Sequence, residues 1–123
     1  MCIRDRYEGD AKKLEENNLA YTCIINNEPI ASAGMKIMWD GVAEGWVLAT
    51  SKVWNHPIVI ARAIKKNFAR LAKENNINRV QTAVRADFKI GLKFALWLGL
   101  EQEGLMKKYG FDGADHYRYA RIF

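Results

Sequence analysis

The spacing of apolar and polar residues divides the chain into short elements. Residues 19–26 (LAYTCIIN) and 29–39 (PIASAGMKIMW) are rich in β-branched and aromatic side chains, and both predict strands. Asn26-Asn27-Glu28 predicts a tight turn between them, and Pro29 fits only at the start of its strand. Gly34, inside the second run, predicts a bulge or a close backbone approach. Asp40-Gly41 is a hairpin signal. Residues 42–50 (VAEGWVLAT) then complete a three-stranded meander. Trp39 and Trp46 flank that turn and are expected to face each other across strands.

From Pro57 the period changes. Ala61, Ile64, Phe68, Leu71 and Ala72 recur on one face, with Lys65, Lys66, Arg70 and Lys73 away from it. This predicts a helix with proline in its first turn, running to about Asn75. Residues 78–84 (NRVQTAV) predict a buried strand. Residues 87–99 predict a second helix, with Asp87 as N-cap and Gly99 as stop. Residues 100–110 and 115–123 predict two strands joined by FDGA. A meander, a strand–helix–strand unit and a final hairpin make an α+β (mixed α/β) domain around one sheet.

The remaining residues fit less well. MCIRDR at the start resembles the spurious leader of open reading frames from metagenomic assemblies. Tyr7 to Asn18 read as the end of a helix whose beginning is missing. Residues 1–18 are thus expected to be a leader and helix remnant, and residues 19–123 the single domain.

At 123 residues, half of them hydrophobic, the chain is long enough for a core and too apolar for disorder. Its richest apolar patch, Phe94-Ala95-Leu96-Trp97-Leu98, is too short to cross a membrane, and the charged start is unlike a signal peptide. A soluble, cytoplasmic protein without membrane partners is expected. Cys23 reads as a small buried hydrophobe, and neither the two cysteines nor the two histidines are spaced for a metal. The net charge of +5 favours anionic partners. Because it is dispersed, nucleic-acid binding is a minor reading only.

One junction carries candidate chemistry. Ser51-Lys52-Val53-Trp54-Asn55-His56 joins a strand to the helix at Pro57. A helix N-terminus offers unpaired backbone N–H groups and a favourable dipole, which together suit an anion. Ile58, Val59 and Ile60 would supply the amides, and Ser51, Asn55 and His56 side-chain donors. The alternative is an ordinary turn, since the loop has no glycine and Pro57 lacks an N–H.

The order of elements, the junction Thr50-Ser51-Lys52-Val53-Trp54, and the close VQTAVRADFKIGLKFALWLGLEQEGLMKKYGFDGADHYRYARIF resemble the GNAT family of acyl-CoA-dependent N-acetyltransferases. The TS..VW junction is also similar to small GNAT-like internal virion proteins of short-tailed phages. The resemblance covers residues 19–123. It implies an acyl-CoA N-acyltransferase fold, a central mostly antiparallel sheet flanked by helices, acetyl-CoA as cofactor and an amine acceptor of unknown identity. It also implies that the family's N-terminal part, which walls one side of the acceptor site, is either missing or abbreviated here.

In the family, a glycine-rich turn at this junction binds the cofactor pyrophosphate. Its glycine positions correspond here to His56, Ile58 and Ile60. The resemblance makes Glu44 the candidate base for a neutral acceptor amine. It places an oxyanion-binding N–H near Val47, Leu48 and Ala49, and Asp87 where family members contact cofactor. A family tyrosine that serves as acid is replaced by Ala95, leaving Tyr109 a weak substitute. Two functions remain open: acetyl transfer, or a GNAT-shaped phage virion or assembly protein with little or no turnover.

Overall fold

Asn26 and Asn27 both adopt positive φ (53° and 62°), the backbone a two-residue hairpin turn requires and asparagine tolerates. They join β2 (Ala20–Ile25) to β3 (Glu28–Trp39), and Gly41, at φ 84°, turns β3 into β4 (Val42–Ala49). The computed structural model describes Cys2–Ile3 and residues 19–123; expectations for the rest of the first 18 residues lie outside the described residues. Cys2–Ile3 forms β1, antiparallel to β2, with Cys2 opposite Cys23. Cys23 is fully buried, as expected, and is disulfide-bonded.

After β4 the chain makes a 3-10 turn at Ser51–Asn55. It then enters α1 (Pro57–Glu74), followed by β5 (Arg79–Arg85), α2 (Lys89–Trp97), β6 (Glu101–Met106) and β7 (His116–Ile122). The sheet order is β1-β2-β3-β4-β5-β7-β6, and only β4 and β5 run parallel. α1 buries Ile60, Ala61, Ile64, Phe68, Leu71 and Ala72, the predicted stripe extended by one residue. Ile64 and Leu71 share one buried core with Tyr21, Met35 and Val80. The Tyr21 hydroxyl donates to the Ile64 carbonyl at 3.2 Å, and burial pushes its pKa well above the ordinary range.

Three expectations change. The second helix starts at Lys89, its N-cap is Phe88, and no side chain caps it; Asp87 instead accepts a hydrogen bond from Arg85 Nε at 2.9 Å. The first strand of the final hairpin ends at Met106, so the connection is longer than FDGA. Trp39 lies opposite Val42, while Trp46 lies opposite Gly34. A Cβ on Gly34 would stand 2.9 Å from Trp46 Cζ2 and 2.4 Å from the Leu19 carbonyl oxygen, so Gly34 marks a close approach. The β3–β4 irregularity falls further along, between Ile37 and Trp39.

Candidate functional site

The parallel ladder between β4 and β5 is short. It pairs Val42 with Arg79, Ala43 with Val80 and Glu44 with Gln81, and then stops. Beyond it β4 still pairs with β3 as far as Ala49, and β5 with β7 as far as Arg85. Gly45 to Ala49 and Thr82 to Arg85 therefore present facing edges that no strand pairs. Backbone groups along such edges need partners. A bound chain can supply them.

α1 and α2 cover this opening on one face of the sheet, in contact through Lys65 Nζ, 5.2 Å from the Trp97 ring centroid. Two adjacent cavities lie beneath them. The outer one, about 400 Å3, includes Ala49, Ser51, Trp54, Pro57, Ile60 and Phe88 in its lining. The inner one, about 230 Å3, reaches Gly45, Phe68, Val80, Ala95 and Leu98. Val47, Phe88, Gly91 and Phe94 line both. The outer cavity alone has the size of a small-molecule site.

The first turn of α1 borders the outer cavity. Val53 N–H donates to the Thr50 carbonyl and His56 N–H to the Val53 carbonyl, both at 3.1 Å. Ile60 N–H donates to the His56 carbonyl at 3.1 Å, so its amide is spent inside the helix and only its side chain faces the cavity. The amides of Ile58 and Val59 make no hydrogen bond among the described residues. Both side chains are exposed and line neither cavity. Two free amides and the dipole thus sit at the cleft's outer end without glycine. Ser51 lines the cleft; Asn55 and His56 flank the helix start and do not line it.

Glu44 closes the inner end on the opposite face. Side chains alternate along a strand, and Gly45 is directed at Phe68 and Val80 on the helix-covered face. Glu44 Oε2 accepts from Gln81 Nε2 at 3.2 Å, and Oε1 lies 3.5 Å from Arg118 Nη1. Gln81 in turn accepts from Arg79 Nε at 2.9 Å. Only 20% of the Arg118 side chain is exposed, because β7 runs beside β5.

Of the other sequence-predicted residues, Val47 and Ala49 line the cleft, and Leu48 points to the other face opposite Ser32. Asp87 is turned to Arg85 and is not a lining residue. Tyr109 packs against His116, ring centroids 5.3 Å apart, beneath Arg118, and lines neither cavity. Among the described residues no cluster of His, Cys, Asp or Glu could hold a metal ion, and no helix is long and apolar enough to cross a membrane.

The α2 wall, Phe88, Ile90, Gly91 and Phe94, escaped sequence reasoning. Its signal was Gly91 inside a helical pattern: a Cβ there would lie 2.4 Å from Phe88 Cδ2, so the glycine makes room for the ring.

A mostly antiparallel sheet whose one parallel pair diverges under two helices is the GNAT acyl-CoA N-acyltransferase fold. Ard1 from Thermoplasma volcanium superposes with a TM-score of 0.79 at 17% identity, over 95% of this chain and 81% of its own. RimL, a ribosomal alpha-N-protein acetyltransferase in complex with coenzyme A, gives 0.77 at 18%, over 92% of this chain and 67% of its own. A GNAT-family acetyltransferase from Bacillus anthracis gives 0.75 at 18%, over 89% and 69%. No family model matches the sequence, and no curated protein matches it. At these identities the likeness establishes the fold.

Proposed function

We propose that this protein is an N-acyltransferase that uses acetyl-CoA, or a related acyl-CoA, to acylate an amine. The observation that carries this is the divergence of β4 from β5 beyond Glu44 and Gln81, which opens a cleft beneath a helix N-terminus with free amides. The binding of coenzyme A by RimL supports it, as does that of acetyl-CoA by the microcin self immunity acetyltransferase MccE, a further structure of the same fold.

The residues fit such a ligand. Ile58 and Val59 N–H groups and the α1 dipole meet a diphosphate. The unpaired edge from Val47 to Ala49 meets the amide-bearing arm and offers an N–H to the thioester carbonyl oxygen. Val47, Phe88 and Phe94 keep water from it. Acetyl-CoA supplies an acyl group activated as a thioester. The acceptor nitrogen must arrive unprotonated, although a free lysine-type amine has a pKa near ~10.4. Glu44 takes the amine proton, held in place by Gln81 and Arg118. The N–C bond forms as the C–S bond breaks, and the thiol leaves with a proton from solvent.

Thermal denaturation with acetyl-CoA tests the reading. Ligand at a hundred times its dissociation constant adds about 2.7 kcal/mol of stability. An unchanged melting temperature at millimolar acetyl-CoA overturns it.

Two observations favour a second reading, a binder of the same fold without turnover. Ala95 is buried where the family carries its tyrosine, and Glu44 is already engaged by Arg118. A role as a phage virion or assembly component belongs to this reading. Amine acylation that is lost in Glu44→Gln rejects it.

A further inference from the structure

The inner cavity lies next to the outer one and shares Val47, Phe88, Gly91 and Phe94 with it. It begins at Gly45, directly beyond the last paired rung of β4 and β5, and at Val80, within the ladder, and extends under α2 to Ala95, Leu98 and Leu100. Its volume of about 230 Å3 is several times the roughly 30 Å3 that one water occupies in the liquid. The lining is apolar apart from Thr82 and Arg85. The Arg85 guanidinium is turned away, to Asp87 and Asp112. An apolar cavity of this kind is not a favourable place for water. A small residue helps to create it: Ala95 leaves the middle of the α2 wall open.

We infer that the inner cavity is an acyl pocket and that the preferred donor is a straight-chain aliphatic acyl thioester longer than acetyl, of about butyryl to octanoyl length. This rests on the acyl-CoA reading above. A donor whose diphosphate meets the first turn of α1 runs through the outer cavity, and its acyl end then faces the inner one through the shared walls Val47 and Phe94. The transfer is balanced as before: the acceptor nitrogen bonds to the acyl carbon and gives a proton to Glu44, the C–S bond breaks, and the departing sulfur takes a proton from solvent. Only the length of the chain differs.

The test is a calorimetric titration of the protein with coenzyme A and its acetyl, butyryl, hexanoyl and octanoyl thioesters. Each methylene buried in the pocket should tighten binding about fourfold until the cavity is filled. Ala95→Phe fills the pocket and should abolish that gain while leaving acetyl-CoA affinity unchanged. Ala95→Met, a smaller intrusion, should abolish it in part, which keeps the test informative if the larger side chain impairs folding. Acetyl-CoA binding with no gain for longer chains overturns the acyl pocket and leaves the transferase reading standing. A gain that persists in both variants also overturns it, since the chain then lies elsewhere. Failure of every thioester to bind overturns both.

Discussion

Gln81 Nε2 donates to Glu44 Oε2 at 3.2 Å across the last rung of the parallel β4–β5 ladder. Past that bond the strands part. The same contact therefore marks the inner end of the cleft and fixes the Glu44 carboxylate on the face of the sheet away from the cavities.

Replacing that carboxylate separates chemistry from binding. Glu44→Gln is expected to lower kcat/KM for amine acylation by about a hundredfold or more, the scale of a lost general base. Acetyl-CoA affinity should stay within a factor of two, since the residue lies on the face away from the cavities. Steady-state rates and calorimetry check this, and an unaltered rate would remove Glu44 from the mechanism.

The free amides of Ile58 and Val59 make a second prediction. Acetyl-pantetheine, which has the thioester arm but no diphosphate, should bind at least about tenfold more weakly than acetyl-CoA, the loss of charge-assisted hydrogen bonds being worth about 1.5–3 kcal/mol. Competition binding measures the ratio. Equal affinity would mean that the helix N-terminus holds nothing.

Gly34 and Gly104 should respond oppositely to alanine. At Gly34 the new methyl meets the Leu19 carbonyl at 2.4 Å and the Trp46 ring at 2.9 Å, so the variant should lose about 1–3 kcal/mol or more. At Gly104 nothing lies within 4 Å, and the loss of unfolded-chain freedom should make the change neutral or stabilising by up to about 1 kcal/mol. Urea midpoints decide both.

Ile64 lies at the centre of the α1 contact and is fully buried. Ile64→Val should cost about 0.5–1.5 kcal/mol and Ile64→Ala about 2–5 kcal/mol, through lost transfer energy and the cavity left behind. A smaller loss in urea denaturation would mean that α1 packs more loosely than it does here.

Acid should weaken the fold through two surface pairs. The hydrogen bond from Arg79 holds the Glu103 carboxyl below its ordinary 4.5, and those from Arg85 and then the Ala114 N–H hold Asp112 below 3.8. A carboxyl depressed in the folded state stabilises above its unfolded pKa, and that stability is lost as pH falls through the folded value. Melting temperatures should drop below about pH 4.5, and less steeply in Arg79→Gln and Arg85→Gln. Both pairs are accessible to solvent, so the effect is small and high salt should shrink it.

Most of the secondary structure was legible because its signals are local. Asn26-Asn27 and Asp40-Gly41 turn because of backbone preferences, and α1 shows its buried face as a repeat in its own residues. Asp87 was misread because a capping residue and a partner for Arg85 look alike in sequence. Trp46 was misplaced because its partner depends on where the β3–β4 register shifts.

By itself, the sequence determined the strands, the helices and their order, and through that order the fold, since each depends on neighbours a few residues apart. The tertiary structure alone decided the site. Glu44, Gln81 and Arg118 meet because β5 lies between β4 and β7. The cleft exists because β4 and β5 separate after three paired residues on each strand, and its far wall comes from α2 folded back over the gap. Those relations join residues far apart in the chain, and strand order and register, not local pattern, bring them together.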